Sequence, residues 1–149
     1  MNEQKIRAAT EADCAGMLAL YRHLNPKDPE PDPAAAARAW AALVGSDMAT
    51  VFVVEADGAL ISSCTLVVVP NITRHARPYA LVENVVTHAA HRGRGLGQRV
   101  LRAALDAAWA AGCYKVMLAT GRTDEAVLRF YESAGFERGT KTFFQARRD

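Results

Sequence analysis

Hydrophobic positions along the chain recur at spacings that switch between two and about four residues, and each switch marks an element boundary. Residues 6–9 read as a short first strand. Thr10 followed by Asp13 resembles an N-terminal capping arrangement, and Met17, Leu18, Leu20, Tyr21 and Leu24 then supply a helical apolar stripe. Four prolines between Asn25 and Pro33 stop that helix, because proline has no N–H to give to helix or ladder. An alanine-rich second helix follows over residues 34–44. Two β-rich runs, 50–56 and 60–69, flank Asp57-Gly58, the strongest hairpin signal in the chain, and should pair antiparallel. After a loop over 71–78 comes a strand over 79–87, a glycine-rich turn and a helix over 95–111. Val100, Leu101, Ala104, Leu105, Ala108 and Trp109 form its expected buried face, with Arg99, Arg102 and Asp106 toward water. Gly112 reads as a C-cap, 114–119 as a buried strand, 124–133 as a helix and 143–146 as part of a last strand. Hairpins followed by a strand-helix-strand crossover predict an α/β (α+β) fold, a mixed, mostly antiparallel central sheet with helices packed on it.

Composition narrows the classes. A chain of 149 residues fits one domain, 1–149, and 50% hydrophobic with 23% charged residues is the balance of an ordinary globular protein. The net charge of +2 gives no strong field for nucleic acid, and the local basic clusters suit a small anion better than a polyanion. No apolar run approaches the roughly 18 residues of a membrane span, and the polar start Met1-Asn-Glu-Gln-Lys5 lacks a signal peptide's apolar stretch. A cytoplasmic protein is expected, with neither membrane nor nucleic acid as partner. Cys14, Cys64 and Cys113 are odd in number and widely spaced, and His23, His75, His88 and His91 share no ligand spacing with them, so no disulfide framework and no metal are expected.

The candidate chemistry concentrates at Ala80-Leu-Val-Glu-Asn-Val-Val-Thr-His-Ala-Ala-His-Arg-Gly-Arg-Gly-Leu-Gly97. Gly93, Gly95 and Gly97 let the backbone turn sharply and approach a ligand, while the first amides of the following helix point outward unpaired. Together with the helix dipole and the charges of Arg92 and Arg94, this is a cradle for phosphate or pyrophosphate. It is not a Walker A loop, because Gln98 and Arg99 follow Gly97 where lysine and a hydroxyl residue belong. Nor is it the dinucleotide fingerprint, which needs glycine at 98 and an acidic residue at the end of the next strand.

Arg92-Gly-Arg-Gly-Leu-Gly97 instead resembles the R/Q-x-x-G-x-G/A signature of the GNAT superfamily of acyl-CoA N-acyltransferases. Further on, Val127-Leu-Arg-Phe-Tyr-Glu-Ser-Ala-Gly-Phe136 resembles that superfamily's second signature, with Val127 in place of the usual alanine. Val82-Glu-Asn-Val-Val86 and Gly112-Cys-Tyr-Lys-Val-Met-Leu118 are similar to the glucosamine-6-phosphate N-acetyltransferases within it. The resemblance implies helices on both faces of the sheet and acetyl-CoA as cofactor, with coenzyme A as product. It implies a coenzyme site made by the signature residues Arg92, Gly93, Arg94, Gly95, Leu96 and Gly97. The backbone of Val85, Val86 and Thr87 would take the pantetheine arm, and Tyr131 would protonate or hydrogen-bond the leaving thiolate. Asp124 stands where many members carry a cofactor-contacting asparagine; it also suits the N-cap of the last long helix.

Other roles follow from the residues themselves. A phenol titrates near about 10, close to a leaving thiol, so Tyr131 has a proton to give at neutral pH. Glu83 and Asn84 interrupt an apolar strand where their neighbours predict burial, and a partly desolvated carboxylate has the raised pKa of a general base, acting directly or through water; the alternative is a bulge or a solvated groove. Cys64 and Cys113 raise an acyl-cysteine route, against which stand their apolar surroundings. His88 and His91 read as surface turn residues. Arg74 and Arg77 share a loop with His75 and could clamp a phosphate or carboxylate, leaving Arg74, Arg77, Glu83 and Asn84 as the candidate substrate contacts. The expected function is acetyl transfer to the primary amine of a small molecule, such as an amino-sugar phosphate or amino acid, by direct attack in a ternary complex. The alternative is a non-catalytic acyl-CoA-binding or regulatory domain. Apolar β-rich sequence near Phe136, Phe143 and Phe144 also predicts an edge suited to a homodimer.

Overall fold

The computed structural model describes residues 3–148, in two compact units that divide between Met117 and Leu118. The first unit carries a five-stranded sheet in chain order: β1 (Lys5–Ala8), β2 (Ala49–Ala56), β3 (Ala59–Val69), β4 (Tyr79–Thr87) and β5 (Val116–Met117). Its helices are α1 (Cys14–Tyr21), α2 (Pro33–Val44), the single turn α3 (Thr73–Ala76) and α4 (Leu96–Ala110). The first four strands run antiparallel to their neighbours, and β5 lies parallel to β4 through the crossover that α4 provides.

Local chemistry explains most boundaries. Asp57 and Gly58 both have positive φ, 52° and 76°, so the β2–β3 hairpin closes on a two-residue turn whose twist matches the strands. Proline opens α2, where its missing N–H costs nothing, and the Asp32 carboxylate caps it by accepting from Ala35 N at 2.9 Å. A short 3-10 turn, Glu11–Asp13, leads into α1; Asp13 reaches back to accept from Thr10 N at 2.7 Å, as the capping pattern predicts.

The sheet is covered on both faces. Val51, Val53 and Val86 pack against Met17 and Leu20 of α1 and Trp40 of α2. On the opposite face the Cys64 thiol donates to the carbonyl of Val100, and Val100, Leu101, Ala104 and Ala108 of α4 are fully buried. Trp109, expected in that face, is half exposed, because the buried stripe runs through Val100, Ala104 and Ala108 at i, i+4 and i+8 and leaves it at the margin.

One irregularity in β4 matters for the site. Thr65 of β3 pairs with Glu83 and Ser63 pairs with Val86, so two residues of β4, Asn84 and Val85, stand opposite Cys64 alone. Asn84 takes φ 53°, a left-handed conformation that asparagine tolerates better than most residues. The extra residue reverses the inside-outside alternation and turns Val86 into the α1–α2 core.

Near the first strand, Arg7 donates to both Asp13 and Glu55 at 2.8 Å. The guanidinium holds the Asp13 carboxyl down at about 2, well below its ordinary 3.8. A depressed carboxylate stabilises the fold above its unfolded pKa, and that contribution fades as pH falls from about 4 toward 2. Asp13→Asn should therefore lower unfolding free energy by about 2 kcal/mol at pH 7 and by little near pH 2, read by urea denaturation at both pH values.

Two sequence expectations are corrected. The strand expected over 114–119 shrinks to Val116–Met117, half-buried, because β4 offers it only the register Ala80 with Val116 and Leu81 with Met117. No strand forms over 143–146: residues 137–148 have no ladder partner among the described residues, and Phe143 and Phe144 are exposed. The second unit holds α5 (Glu125–Ser133), closed by Gly135 at φ 106° with Phe136 N donating to Tyr131 O. Arg138 pairs there with Glu125 and Glu132.

Candidate active site

The glycine turn follows directly from the C-terminal end of β4. Gly93 and Gly95 sit at φ 75° and 77°, and a Cβ at either would meet nothing within 4 Å, so the turn needs glycine for its backbone conformation and presents an open surface to a ligand. Gly95 is the N-cap of α4, leaving the amides of Leu96 and Gly97 in the first turn without i−4 acceptors. Leu96 and Gly97 are buried, while Arg94 is exposed beside the turn. These features fit a pyrophosphate-bearing group: donors aimed outward, a helix dipole behind them and cationic flanks. Gly95→Ala forces a Cβ onto a left-handed residue at a strain of about 1–2 kcal/mol, so coenzyme Kd should rise roughly tenfold. Gly58→Ala, strained alike at φ 76° in the hairpin, is the control and should leave coenzyme Kd unchanged in the same calorimetric titration.

Arg92 does something the sequence did not suggest. Its guanidinium donates to Thr87 O at 3.2 Å and to His23 O at 3.0 Å, tying the turn to the end of β4 and to the chain after α1. The Val86 carbonyl accepts from Ser62 Oγ at 3.1 Å, and Ser62 Oγ also lies 2.9 Å from the Thr87 hydroxyl. Beyond Leu81, however, β4 has no strand partner on its β5 side among the described residues, and that open edge covers Val85, Val86 and Thr87.

Glu83 is exposed, contrary to the burial its neighbours suggested. The bulge is the reason: the polar pair Glu83-Asn84 marks a register break and not an interruption of a buried face. The carboxylate therefore faces solvent at the middle of β4, between the glycine turn at one end and α3 at the other. Asn84 serves the bulge with its backbone, while its side chain and Thr65 lie beside the buried Tyr21 phenol, whose pKa burial raises.

At the N-terminal end of β4, Arg74, His75 and Ala76 are consecutive left-handed residues with φ between 54° and 63°. Each costs about 1–2 kcal/mol in a non-glycine residue. The Asn71 amide holds the turn by donating to Thr73 O, Thr73 Oγ1 and Arg77 O. Arg74 and Arg77 stand over the Tyr114 ring at 5.9 and 5.6 Å, and Lys115 joins them over Tyr114 at 5.4 Å and Tyr79 at 5.9 Å. None of these three cations forms an ion pair with a carboxylate among the described residues. The place of Lys115 and Tyr114 in this cluster has no sequence signal, since nothing near Gly112 links them to a loop some forty residues earlier.

In the second unit Tyr131 is half-buried on α5, with Phe130 and Phe136 edge-on at 5.0 and 6.4 Å. Asp124 occupies the N-cap position of α5, but its carboxylate does not cap: it accepts from Arg122 Nε at 2.8 Å, and its backbone carbonyl takes Val127 N and Leu128 N. Its negative charge is thereby offset by Arg122. Burial pushes the Cys64 thiol up to about 12 and raises that of Cys113, which leaves neither as a thiolate nucleophile near neutral pH. No helix among the described residues is long and apolar enough to cross a membrane.

One signature follows β4 of the mixed sheet and the other lies on α5 of the second unit, and comparison with known proteins makes the class definite. The acetyltransferase (GNAT) family matches residues 17–136, across both units, and the chain belongs to that family. It is 30% identical over 132 residues to the glucosamine 6-phosphate N-acetyltransferase of Trypanosoma brucei brucei, covering 89% of this chain and 88% of that one. It is 35% identical over 135 residues to glucosamine 6-phosphate N-acetyltransferase 1 of Oryza sativa subsp. japonica, covering 89% and 80%. Among solved structures, a putative acetyltransferase from Agrobacterium tumefaciens str. C58 superposes with a TM-score of 0.91 at 50% identity, covering 96% of this chain and 99% of that one. The protein is an acetyl-CoA-dependent N-acetyltransferase.

Proposed function

We propose that this enzyme acetylates the primary amine of a small anionic molecule, an amino-sugar phosphate foremost, by direct attack in a ternary complex. The observation that carries the reading is the layout of β4: an anion cradle at its C-terminal end, three cations with no carboxylate partner among the described residues at its N-terminal end, and the exposed carboxylate of Glu83 between them. From Tyr79 to Glu83 the strand advances roughly 13 Å at about 3.3 Å per residue, a distance that arginine and lysine side chains shorten to the span of a phosphorylated sugar. The names of the two similar N-acetyltransferases support the same acceptor class.

When bound, acetyl-CoA supplies the thioester carbonyl that an amine attacks. Arg94, the amides after Gly95 and the open edge from Val85 to Thr87 hold and orient it, with Arg92 fixing the turn from behind. Arg74, Arg77 and Lys115 hold the acceptor's anion, and Glu83 attracts the ammonium and takes its proton, directly or through water. Tyr131 Oη gives a proton to the leaving sulfur. Asp124 positions Arg122 near the start of α5 instead of meeting phosphate itself. The raised Cys64 and Cys113 thiols support direct transfer over an acyl-cysteine route.

The two units work as one domain in this reading. The exposed Phe143 and Phe144 suit burial in a homodimer, and the working compartment is the cytoplasm. An amine panel assayed by thiol release tests the acceptor. Glucosamine 6-phosphate should exceed glucosamine by at least tenfold in kcat/KM, and equal rates would remove the anion from the account.

A further inference from the structure

Two histidines outside the proposed chemistry are joined to the turn that carries the coenzyme cradle. Ala89 N donates to His23 Nδ1 at 3.3 Å across 66 residues of sequence, and Ala90 N donates to His88 Nδ1 at 3.1 Å. The two rings lie 3.9 Å apart, tilted by 36°, and His91 meets His88 edge-on at 5.3 Å. Arg92 completes the connection by donating to the carbonyls of His23 and Thr87. The short turn Ala89–His91 that leads to Gly93 is thus fastened at two amides by imidazole nitrogens and at its far end by a guanidinium.

We infer that His23 and His88 are positioning residues that form a proton-sensitive latch on the coenzyme cradle, closed when both imidazoles are neutral and released when either takes a proton. An Nδ1 that accepts a hydrogen bond must carry its lone pair, so both rings are fixed as the Nε2–H tautomer. Protonation would set an N–H against the amide of Ala89 or Ala90 and remove a hydrogen bond that holds the turn. It would also place a cation against the neighbouring ring and beside Arg92.

The groups facing the pair are few. His23 and His88 line a cleft of about 380 Å³ with Arg7, Asp13 and Glu55. Both carboxylates there are bonded to Arg7, so that wall brings one net negative charge, while from the cradle side Arg92 brings a positive charge and His91 a further imidazole ring. Burial, then the charges of His88 and Arg92, hold His23 below the ordinary imidazole value of 6.5. The latched state binds fewer protons than the released one, so the latch holds above pH 6.5 and weakens by up to about tenfold per pH unit as pH falls below it.

The inference rests on the reading that the glycine turn holds coenzyme, and the experiment separates the two. Coenzyme A affinity is measured by calorimetry from about pH 7.5 to about pH 5.5 for the wild type and for His23→Asn/His88→Asn, whose side-chain oxygens can accept the same amides without titrating. The wild type should lose more affinity than the variant over that range, by roughly three- to tenfold. It should also release a fraction of a proton on binding near pH 6, seen as a buffer-dependent heat that the variant lacks. Parallel profiles and equal heats in the two proteins would overturn the latch while leaving the cradle standing. Absence of coenzyme binding at about pH 7.5 in the wild type would overturn both. If the double variant fails to fold, His88→Asn alone and the wild-type proton release give the same decision.

Discussion

Replacing Tyr131 by phenylalanine should lower kcat by about 10²–10³-fold while leaving coenzyme Kd within about twofold, the range expected when one positioned proton donor is lost. The substitution is a narrow one. Phenylalanine keeps the ring that meets Phe130 and Phe136 edge-on, so α5 and its closing turn have no packing reason to change. What disappears is the hydroxyl, and with it the proton for a thiolate leaving group. The alkaline limb of the pH–rate profile should go with it, because deprotonation of a phenol is what shuts off such an acid at high pH. Steady-state kinetics across pH decides the matter: an unchanged kcat and an unchanged limb would leave Tyr131 as a packing residue.

The second large effect is expected at Glu83. Glu83→Gln should reduce kcat/KM by about 10²-fold at neutral pH, where the acceptor amine is an ammonium, and should recover most activity once pH exceeds the amine's own pKa. Exposure makes the experiment clean, since glutamine at a solvent-facing position of β4 disturbs no packed neighbour. A thermal melt identical to the wild type's, together with an activity loss confined to low and neutral pH, would place the proton transfer at this carboxylate. Equal loss at every pH would mean that Glu83 binds the acceptor without accepting its proton.

Much of this arrangement was legible in the sequence, for physical reasons that can be named. The bounds of β4 could be read because β-branched residues run up to the polar turn. The sharp turn between β4 and α4 could be read because three glycines stand beside arginines between a strand and a helix, and Gly93 and Gly95 take positive φ there. The hairpin at Asp57-Gly58 was legible because its turn type demands positive φ at both positions. The bulge was legible only as one of two alternatives: one residue of register is invisible in a pattern of apolar and polar letters, so Glu83-Asn84 read either as a partly buried pair or as a bulge, and the structure has the bulge with Glu83 exposed.

Long-range polar partners were equally hidden. Nothing local joins His23 to Ala89, Arg92 to His23, or Lys115 to Arg74 and Arg77, since each pairing depends on how distant elements meet. The strand expected over 143–146 failed for the opposite reason. Strand-like composition in one segment does not supply the neighbouring ladder that a strand requires.

The most direct test of the account is a calorimetric titration of the protein with acetyl-CoA, with ATP and NADH titrated in parallel. The glycine turn and the open edge of β4 predict one acetyl-CoA per chain, bound at least tenfold more tightly than either nucleotide, because pantetheine adds contacts that adenine and phosphate cannot. Equal affinity for all three, or no binding of acetyl-CoA, would contradict the coenzyme assignment and every step built on it.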